Sequence, residues 1–154
     1  MDEKHADIVT WDNKYATGIK LIDSQHKQLF DLTNNLHKAY FEQDEALYNE
    51  FKDSMSRLVE YVHFHFDAEF KILNKINYPD YHNHKKQHDS FILEILDAAK
   101  DYREGKKNVP IHFVRTLKDW ILGHIGVYDK AYSDFAKTQV KKGILTEKDM
   151  REIE

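Results

Sequence analysis

The sequence predicts an all-α protein: an antiparallel, up-down-up-down four-helix bundle with an extended N-terminal arm and a short C-terminal helical tail. Only two prolines and five glycines stand among 154 residues, so few positions interrupt a helix. Apolar residues recur at spacings that alternate between four and three in four long stretches. That spacing is typical of helices that pack one face against a shared core, and no stretch shows the alternation of a strand.

The composition excludes several classes of protein. Apolar residues make up 41% of the chain and charged residues 32%, which suits one globular domain over residues 1–154. The absence of cysteine excludes disulfides, iron–sulfur clusters and thiolate zinc sites. The net charge of −4 argues against a nucleic-acid partner. Because no apolar run could span a bilayer and the start lacks a signal-peptide core, we expect a cytoplasmic protein without membrane insertion.

The first half of the chain predicts an arm and two helices. Residues 1–22 keep no clean apolar period, and Gly18 interrupts a helix there, so we expect an arm across the outside of the domain. Asp23 suits the N-cap of a first helix over about 23–42, and a second helix follows over about 45–75. The predicted core-facing residues are Ile22, His26, Leu29, Thr33, Leu36 and Tyr40 in the first helix, and Phe51, Met55, Leu58, Val62, His65, Glu69 and Ile72 in the second.

The second half predicts two more helices and a charged tail. A corner at Tyr78-Pro79 leads into a third helix over about 79–104. Pro110 fits the first turn of a fourth helix over about 109–137. In the tail, 138–154, Thr146 begins a motif that can start a short extra helix. The predicted core-facing residues are His84, His88, Phe91, Ile95, Ala98 and Tyr102 in the third helix, and Phe113, Leu117, Trp120, His124, Val127 and Ala131 in the fourth.

Histidine on the apolar face of every helix points to a metal site. His65 and Glu69 are four residues apart, as are His84 and His88, so each pair shares a helix face. Buried without partners, these side chains would cost several kcal/mol, and a charged carboxylate would cost the most. A metal ion would remove that cost, because it pairs with the carboxylate and uses the imidazole lone pairs. Imidazole and carboxylate ligands suit iron or another first-row metal.

The levels of these side chains along the bundle agree with one shared site. In up-down-up-down order, His26, the second-helix pair, the third-helix pair and His124 fall within roughly 14 Å of one another along the bundle axis. A single pair is weak evidence, because ten histidines give roughly 0.6 such pairs by chance. Off these faces lie the remaining histidines, which we expect to be solvent-facing or incidental: His5, His37, His63, His82 and His112.

Four stretches of this sequence resemble the hemerythrin family, in its single-domain bacterial form. They read GIKLIDSQHKQLF at 18–30, HFDAEF at 65–70, YPDYHNHKKQHDSF at 78–91 and WILGHIGVYD at 120–129. The stretches follow the order of the family and span most of the chain. The resemblance implies a non-haem centre of two iron ions.

The resemblance also implies a ligand for each position. One iron would take His84, His88 and His124, and the other His26 and His65. Glu69 and Asp129 would bridge the two ions together with a solvent-derived oxo or hydroxo group, which leaves the second iron one ligand short, where dioxygen binds in this family. Residues resembling the family's oxygen pocket are Leu29, Phe66, Trp120 and Ile121, although ordinary core packing explains them equally well.

Asp129 is the ligand that the residues alone do not predict. It follows His124 by five positions, about 140° around a regular helix, and so it leaves the core-facing side. Its assignment depends on the resemblance. If Asp129 bridges, we expect the helix to be locally irregular there, or the side chain to approach from the flank.

Three functions remain open on the sequence. Reversible dioxygen binding, for storage or for delivery to an oxygen-using client enzyme, is the one we favour. An oxygen or redox sensor would need a separate partner. A di-iron enzyme of oxidase, peroxidase or nitric-oxide-handling type is the third, but a ferritin-like oxidase needs Glu-x-x-His on two helices. Only Glu60 and His63 match that motif, and no residue offers itself as a nucleophile or base beside the site, so we predict that the protein is not an enzyme.

Overall fold

The computed structural model describes residues 6–41, 45–106 and 109–151, and all regular structure in those ranges is helical. A 3-10 turn at Asn13–Tyr15 precedes α1 (Lys20–Phe41) and α2 (Glu45–Lys75). Next come α3 (Tyr81–Arg103), α4 (Val109–Gly123), a π-helical turn (His124–Asp129), α5 (Lys130–Lys141) and α6 (Glu147–Arg151). Helix α1 packs on α2 and α4, and α3 packs on the same two helices, so four antiparallel rods close into a bundle. The predicted fold class is confirmed.

Asp23 fixes the start of α1 from inside the helix. The helix begins at Lys20, three residues before the predicted N-cap. The Asp23 carboxylate accepts hydrogen bonds from the backbone N–H of Thr17 at 2.8 Å, from the Thr17 hydroxyl at 2.8 Å and from the backbone N–H of Gly18 at 3.1 Å. A carboxylate near a helix N-terminus is also favoured by the helix dipole. The same side chain therefore caps the helix and sets the direction of the arm.

Helices α2, α3 and α5 are each followed by a residue in the left-handed region. Asn77 follows α2 with φ of 52°, Gly105 follows α3 with φ of 75°, and Gly143 follows α5 with φ of 73°. At the end of α2, the N–H of Tyr78 donates to the carbonyl of Leu73 at 3.0 Å, which satisfies an otherwise orphaned carbonyl. These stops make the connections short and keep neighbouring helices antiparallel.

The described part of the arm crosses α1 and is held there by Asn34. The side-chain oxygen of Asn34 accepts from the backbone N–H groups of Ile8 at 3.0 Å and Val9 at 3.1 Å. Its amide nitrogen donates to the carbonyl of Val9 at 2.9 Å. In the tail, Thr146 and Asp149 exchange hydrogen bonds of 2.8 and 3.0 Å as a capping box for α6.

The predicted core-facing side is right in α1, α2 and α3, and it is wrong at the end of the fourth predicted helix, from the π-helical turn onward. Val127 is 61% exposed and Ala131 is also exposed, whereas Asp129 and Tyr132 are fully buried. The reason is the π-helical turn at His124–Asp129, which adds one residue to a helical turn and so rotates every later residue by about 100°. A regular period carried through that segment therefore selects the wrong residues. The side chain of Tyr40 lies outside the described residues.

In the described part of the chain, no helix is both long enough and apolar enough to cross a membrane.

Candidate metal centre

A layer of polar side chains separates two apolar clusters in the core. Toward one end lies a cluster that includes Ile22, Ile72 and Tyr132, and toward the other a larger one that includes Leu29 and Phe91. The layer between them consists of seven buried residues, none more than 4% exposed: His26, His65, Glu69, His84, His88, His124 and Asp129. They are the residues that the sequence and the resemblance named, and the structure brings all of them together.

The seven side chains form two groups that share both carboxylates. Ligand atoms of Glu69, Asp129 and three histidines (His84, His88 and His124) lie within 4.8 Å of one another. Ligand atoms of the same two carboxylates and two other histidines, His26 and His65, satisfy the same limit. The cluster therefore has room for two cations side by side.

Glu69 directs one oxygen toward each group. Its Oε1 lies 3.5 Å from His26 Nε2 and 3.4 Å from His65 Nε2. Its Oε2 lies 3.0 Å from His88 Nε2 and 3.6 Å from His84 Nε2. A carboxylate placed in this way can bind one ion through each oxygen.

Asp129, in the π-helical turn after α4, also directs one oxygen toward each group. Its Oδ2 lies 3.0 Å from His26 Nε2, while its Oδ1 lies 2.9 Å from His124 Nε2 and 3.2 Å from His84 Nε2. Within the three-histidine group, the Nε2 atoms of His88 and His124 are 3.0 Å apart. Two ligands about 2.1 Å from one ion and at right angles to each other stand about 3 Å apart, so these nitrogens suit a common ion.

The π-helical turn is what brings Asp129 into the site. In a regular helix, a residue five positions after His124 would lie about 140° away. In the wider turn at His124–Asp129, the first and last residues share a face, and both are buried. The helix is therefore irregular at this point, as expected if Asp129 bridges. Single π turns of this kind are frequent at functional sites.

Several buried atoms of the cluster have no hydrogen-bond partner. They are both ring nitrogens of His26, Nε2 of His84, Nδ1 of His88, Oε2 of Glu69 and both carboxylate oxygens of Asp129. Leaving such atoms unsatisfied costs about 1–3 kcal/mol for each neutral group and more for charged ones. Cations between the two groups would satisfy the carboxylates and the inward-facing nitrogens, so these residues fit a metal centre.

Without a metal, protons bound to the histidines offset part of the negative charge of the two carboxylates. Burial lowers the pKa of His26, but the nearby carboxylates of Asp129 at 3.0 Å and Glu69 at 3.5 Å outweigh burial and raise it to about 9. The same balance raises the pKa of His84 to about 9. Burial acts to raise the pKa of Glu69, yet the charge of His65 and the close approach of the His26 and His84 rings lower it well below its usual value. At neutral pH the metal-free cluster therefore holds protonated histidines against ionised carboxylates.

Three further side chains contact the cluster, and the sequence did not single them out. Gln25 Oε1 lies 2.7 Å from His65 Nδ1, and Gln87 Oε1 lies 3.1 Å from His124 Nδ1. The hydroxyl of Tyr132 donates to Glu69 Oε1 at 3.0 Å. Gln25 and Gln87 each precede a predicted ligand in sequence, which was the available signal. Tyr132 becomes visible only once the π turn places Asp129 in the core.

Three of the four predicted pocket residues are buried in the core, and Trp120 is half-buried against it. Phe66 stacks on the ring of His88 with centroids 3.6 Å apart, and Trp120 stacks on His124 at 4.2 Å. Both therefore press against the three-histidine group and hold its rings in place. Leu29 and Ile121 are 2% and 1% exposed and belong to the larger apolar cluster. A specific role in an oxygen pocket remains a prediction for all four.

The histidines outside the cluster differ in their exposure to solvent. His63, His82 and His112 are exposed, as expected, and His5 lies outside the described residues. His37 is only 9% exposed, which the sequence did not predict. It lies one turn beyond Asn34 on α1, where the arm covers the helix, and burial lowers its pKa even though it hydrogen-bonds the backbone of Ala6. Burial of a histidine in this bundle is thus not in itself a sign of metal ligation.

The comparisons with known proteins agree with this geometry. Residues 17–135 match the family described as the Hemerythrin HHE cation binding domain. The Bacteriohemerythrin of Methylococcus capsulatus is 30% identical over 126 residues, covering 81% of this chain and 94% of that protein. The Bacteriohemerythrin of Clostridium acetobutylicum is 34% identical over 134 residues, covering 82% of this chain and 100% of that protein.

Solved structures show the same likeness. A crystal structure of wild-type hemerythrin superposes with a TM-score of 0.76 at 30% identity, covering 82% of this chain and 96% of the other. A hemerythrin mutant in which one leucine is replaced by alanine gives a TM-score of 0.78 at 29% identity, covering 84% of this chain and 98% of the other. With its family match over most of the sequence and a bundle that carries a buried cluster of histidines and carboxylates, this chain belongs to the hemerythrin family.

Proposed function

We propose that this protein binds dioxygen reversibly at a non-haem centre of two iron ions, for storage or for delivery to an oxygen-using enzyme. The observation that supports the proposal best is the way in which Glu69 and Asp129 each offer one oxygen to each histidine group. Two shared carboxylates suit a pair of ions rather than one. The bacteriohemerythrin names of its relatives point to the same chemistry.

The proposed ligand sets are unequal, and the inequality matters for function. His84, His88 and His124 would hold one iron, while His26 and His65 would hold the other, with both carboxylates shared. The second ion then has one protein ligand fewer. An open coordination position is what distinguishes a reactive metal site from a structural one. When bound, a pair of ferrous ions supplies that position and the electrons for reversible binding of dioxygen.

The surroundings favour binding over chemistry. Glu69, Asp129 and His88 are fully buried, and the neighbouring Phe66 is 2% exposed, so water has little access. Exclusion of water and protons slows oxidative loss of a bound ligand. The rings of Phe66 and Trp120 stack on ligating histidines, and Leu29 and Ile121 complete the apolar side of the layer. These four residues would limit access to the open position.

Oxygen cycling of the purified protein tests the proposal. The iron-loaded protein is reduced without oxygen, exposed to oxygen and then deoxygenated, while the visible spectrum and iron content are followed. We expect two irons per chain and an absorption band that appears with oxygen and disappears when oxygen is removed. Rapid, irreversible oxidation with two irons bound would contradict reversible carriage and favour the sensor or enzyme function.

A pair of histidine variants tests the site itself. His124→Ala should lose iron and the absorption band, because Nε2 of His124 faces both Asp129 and His88 at about 3 Å. His63→Ala, at an exposed position of α2, should keep both. Full iron occupancy in His124→Ala would show that the ligand assignment is wrong.

A further inference from the structure

Two glutamine side chains support the cluster from outside, one for each histidine group. Gln25 lies on α1 and contacts His65 on α2, in the two-histidine group, at 2.7 Å. Gln87 lies on α3 and contacts His124, in the three-histidine group, at 3.1 Å. Each contact joins an amide oxygen to the ring nitrogen that faces away from the site.

The amide oxygens fix the tautomers of these two histidines. An amide oxygen only accepts hydrogen bonds, so Nδ1 of each ring must carry the proton and donate it. The lone pair is then left on Nε2, the atom that faces the carboxylates at 3.4 Å for His65 and 2.9 Å for His124. Both rings are thus prepared to bind a metal through Nε2.

The neutrality of these partners has a second consequence. A ligating histidine often donates its outer N–H to a carboxylate, which makes the ring a stronger donor. A stronger donor stabilises the more highly charged, ferric state of iron. A neutral amide gives the orientation without that added charge and thereby favours the ferrous state, which is the state that takes up dioxygen.

We propose that Gln25 and Gln87 are positioning residues of the metal centre, and that their neutral amides keep its midpoint potential higher than a carboxylate would. Gln25 has the greater effect, because it is 3% exposed and makes the shorter contact, whereas Gln87 is half-buried. The part that concerns potential rests on the proposed iron centre, and the part that concerns orientation applies to any divalent ion.

Gln25→Met tests the orientation, with Co²⁺ as the probe. Methionine keeps much of the volume but has no comparable acceptor, so His65 loses the partner that fixes its tautomer. We expect Co²⁺ affinity, measured by competition with a chelator, to fall about 10-fold or more. Gln87→Met should lower it less, and it provides a second measurement if the buried Gln25 variant folds poorly. Affinities within about twofold of the native value in both variants would overturn the positioning role.

Gln25→Glu tests the effect of charge, with Gln28→Glu as its matched control. Both changes are on α1, but Gln28 is exposed and its added charge is screened by water. In the iron-loaded protein, we expect Gln25→Glu to have a lower midpoint potential and faster oxidation in air, while Gln28→Glu matches the native protein. Equal potentials in the two variants would overturn the tuning role. Failure of the native protein to release oxygen would refute the proposed function, but it would leave these two comparisons decisive.

Discussion

At the residue scale, Tyr132 shows how the core completes a polar site. It is fully buried, it belongs to the smaller apolar cluster, and its hydroxyl donates to Glu69 Oε1 at 3.0 Å. Burial and the charge of Glu69 raise its pKa well above the usual value, so the phenol stays protonated and remains a donor. The same oxygen of Glu69 faces two histidines, and the tyrosine holds it in that position.

We therefore expect Tyr132→Phe to destabilise the metal-free protein. The change removes a hydrogen bond to a buried charged acceptor and leaves the ring in place, which should lower the free energy of unfolding by about 1.5–3 kcal/mol. Urea unfolding of the metal-free protein measures this. Tyr128→Phe removes a hydroxyl from a side chain that is 40% exposed, and it should change stability by no more than about 0.5 kcal/mol. Equal unfolding midpoints for the two variants would show that the hydrogen bond contributes nothing.

At the element scale, the π-helical turn is the feature that hydrophobic periodicity alone did not predict. Periodicity assumes a constant angle per residue, and it placed Val127 and Ala131 in the core where the structure places Asp129 and Tyr132. The resemblance supplied Asp129 nevertheless, because a family match carries positions without needing the local geometry. Periodicity thus fails at this turn while the resemblance does not, and their disagreement at Asp129 located the irregular turn.

Deleting Val127 should convert this turn into a regular helix without loss of metal. Asp129 would then follow His124 by four positions, which also lie on one face of an α-helix. Every residue from Asp129 onward keeps its present face, and the removed side chain is 61% exposed. We expect Co²⁺ bound per chain to stay at the native value.

An insertion at the same point provides the opposite case. One alanine added after Val127 moves Asp129 a further residue from His124 and turns it by about 100° out of the site. This variant should lose metal while the deletion keeps it. Equal loss in both would mean that the π conformation itself is required for binding.

At the scale of the whole molecule, the bundle could be predicted because its cause is repeated many times. Spacings of four and three recur through each helix, and Phe51, Leu58 and Phe91 lie in the core as predicted. The site could be predicted in part because a buried histidine or glutamate breaks an apolar pattern visibly. The supporting residues could not, since Gln25 and Gln87 look like ordinary polar residues until two helices bring them to a ring nitrogen.

The metal-free bundle should lose stability as the pH rises, and the metal-loaded bundle should not. The pKa values of His26 and His84 are raised from 6.5 to about 9, so folding favours their protonated forms. That stabilisation is fully present below about pH 6.5 and is lost as the pH rises through about 9. A shift of this size corresponds to on the order of 3 kcal/mol for one histidine. A bound metal occupies the ring nitrogens instead of protons, so the pH dependence should disappear. Urea unfolding at about pH 6.5 and about pH 9.5, with and without Co²⁺, measures the pH dependence of stability for the metal-free and the metal-bound protein. Equal stability of the metal-free protein at the two pH values would mean that its carboxylates do not hold these histidines protonated.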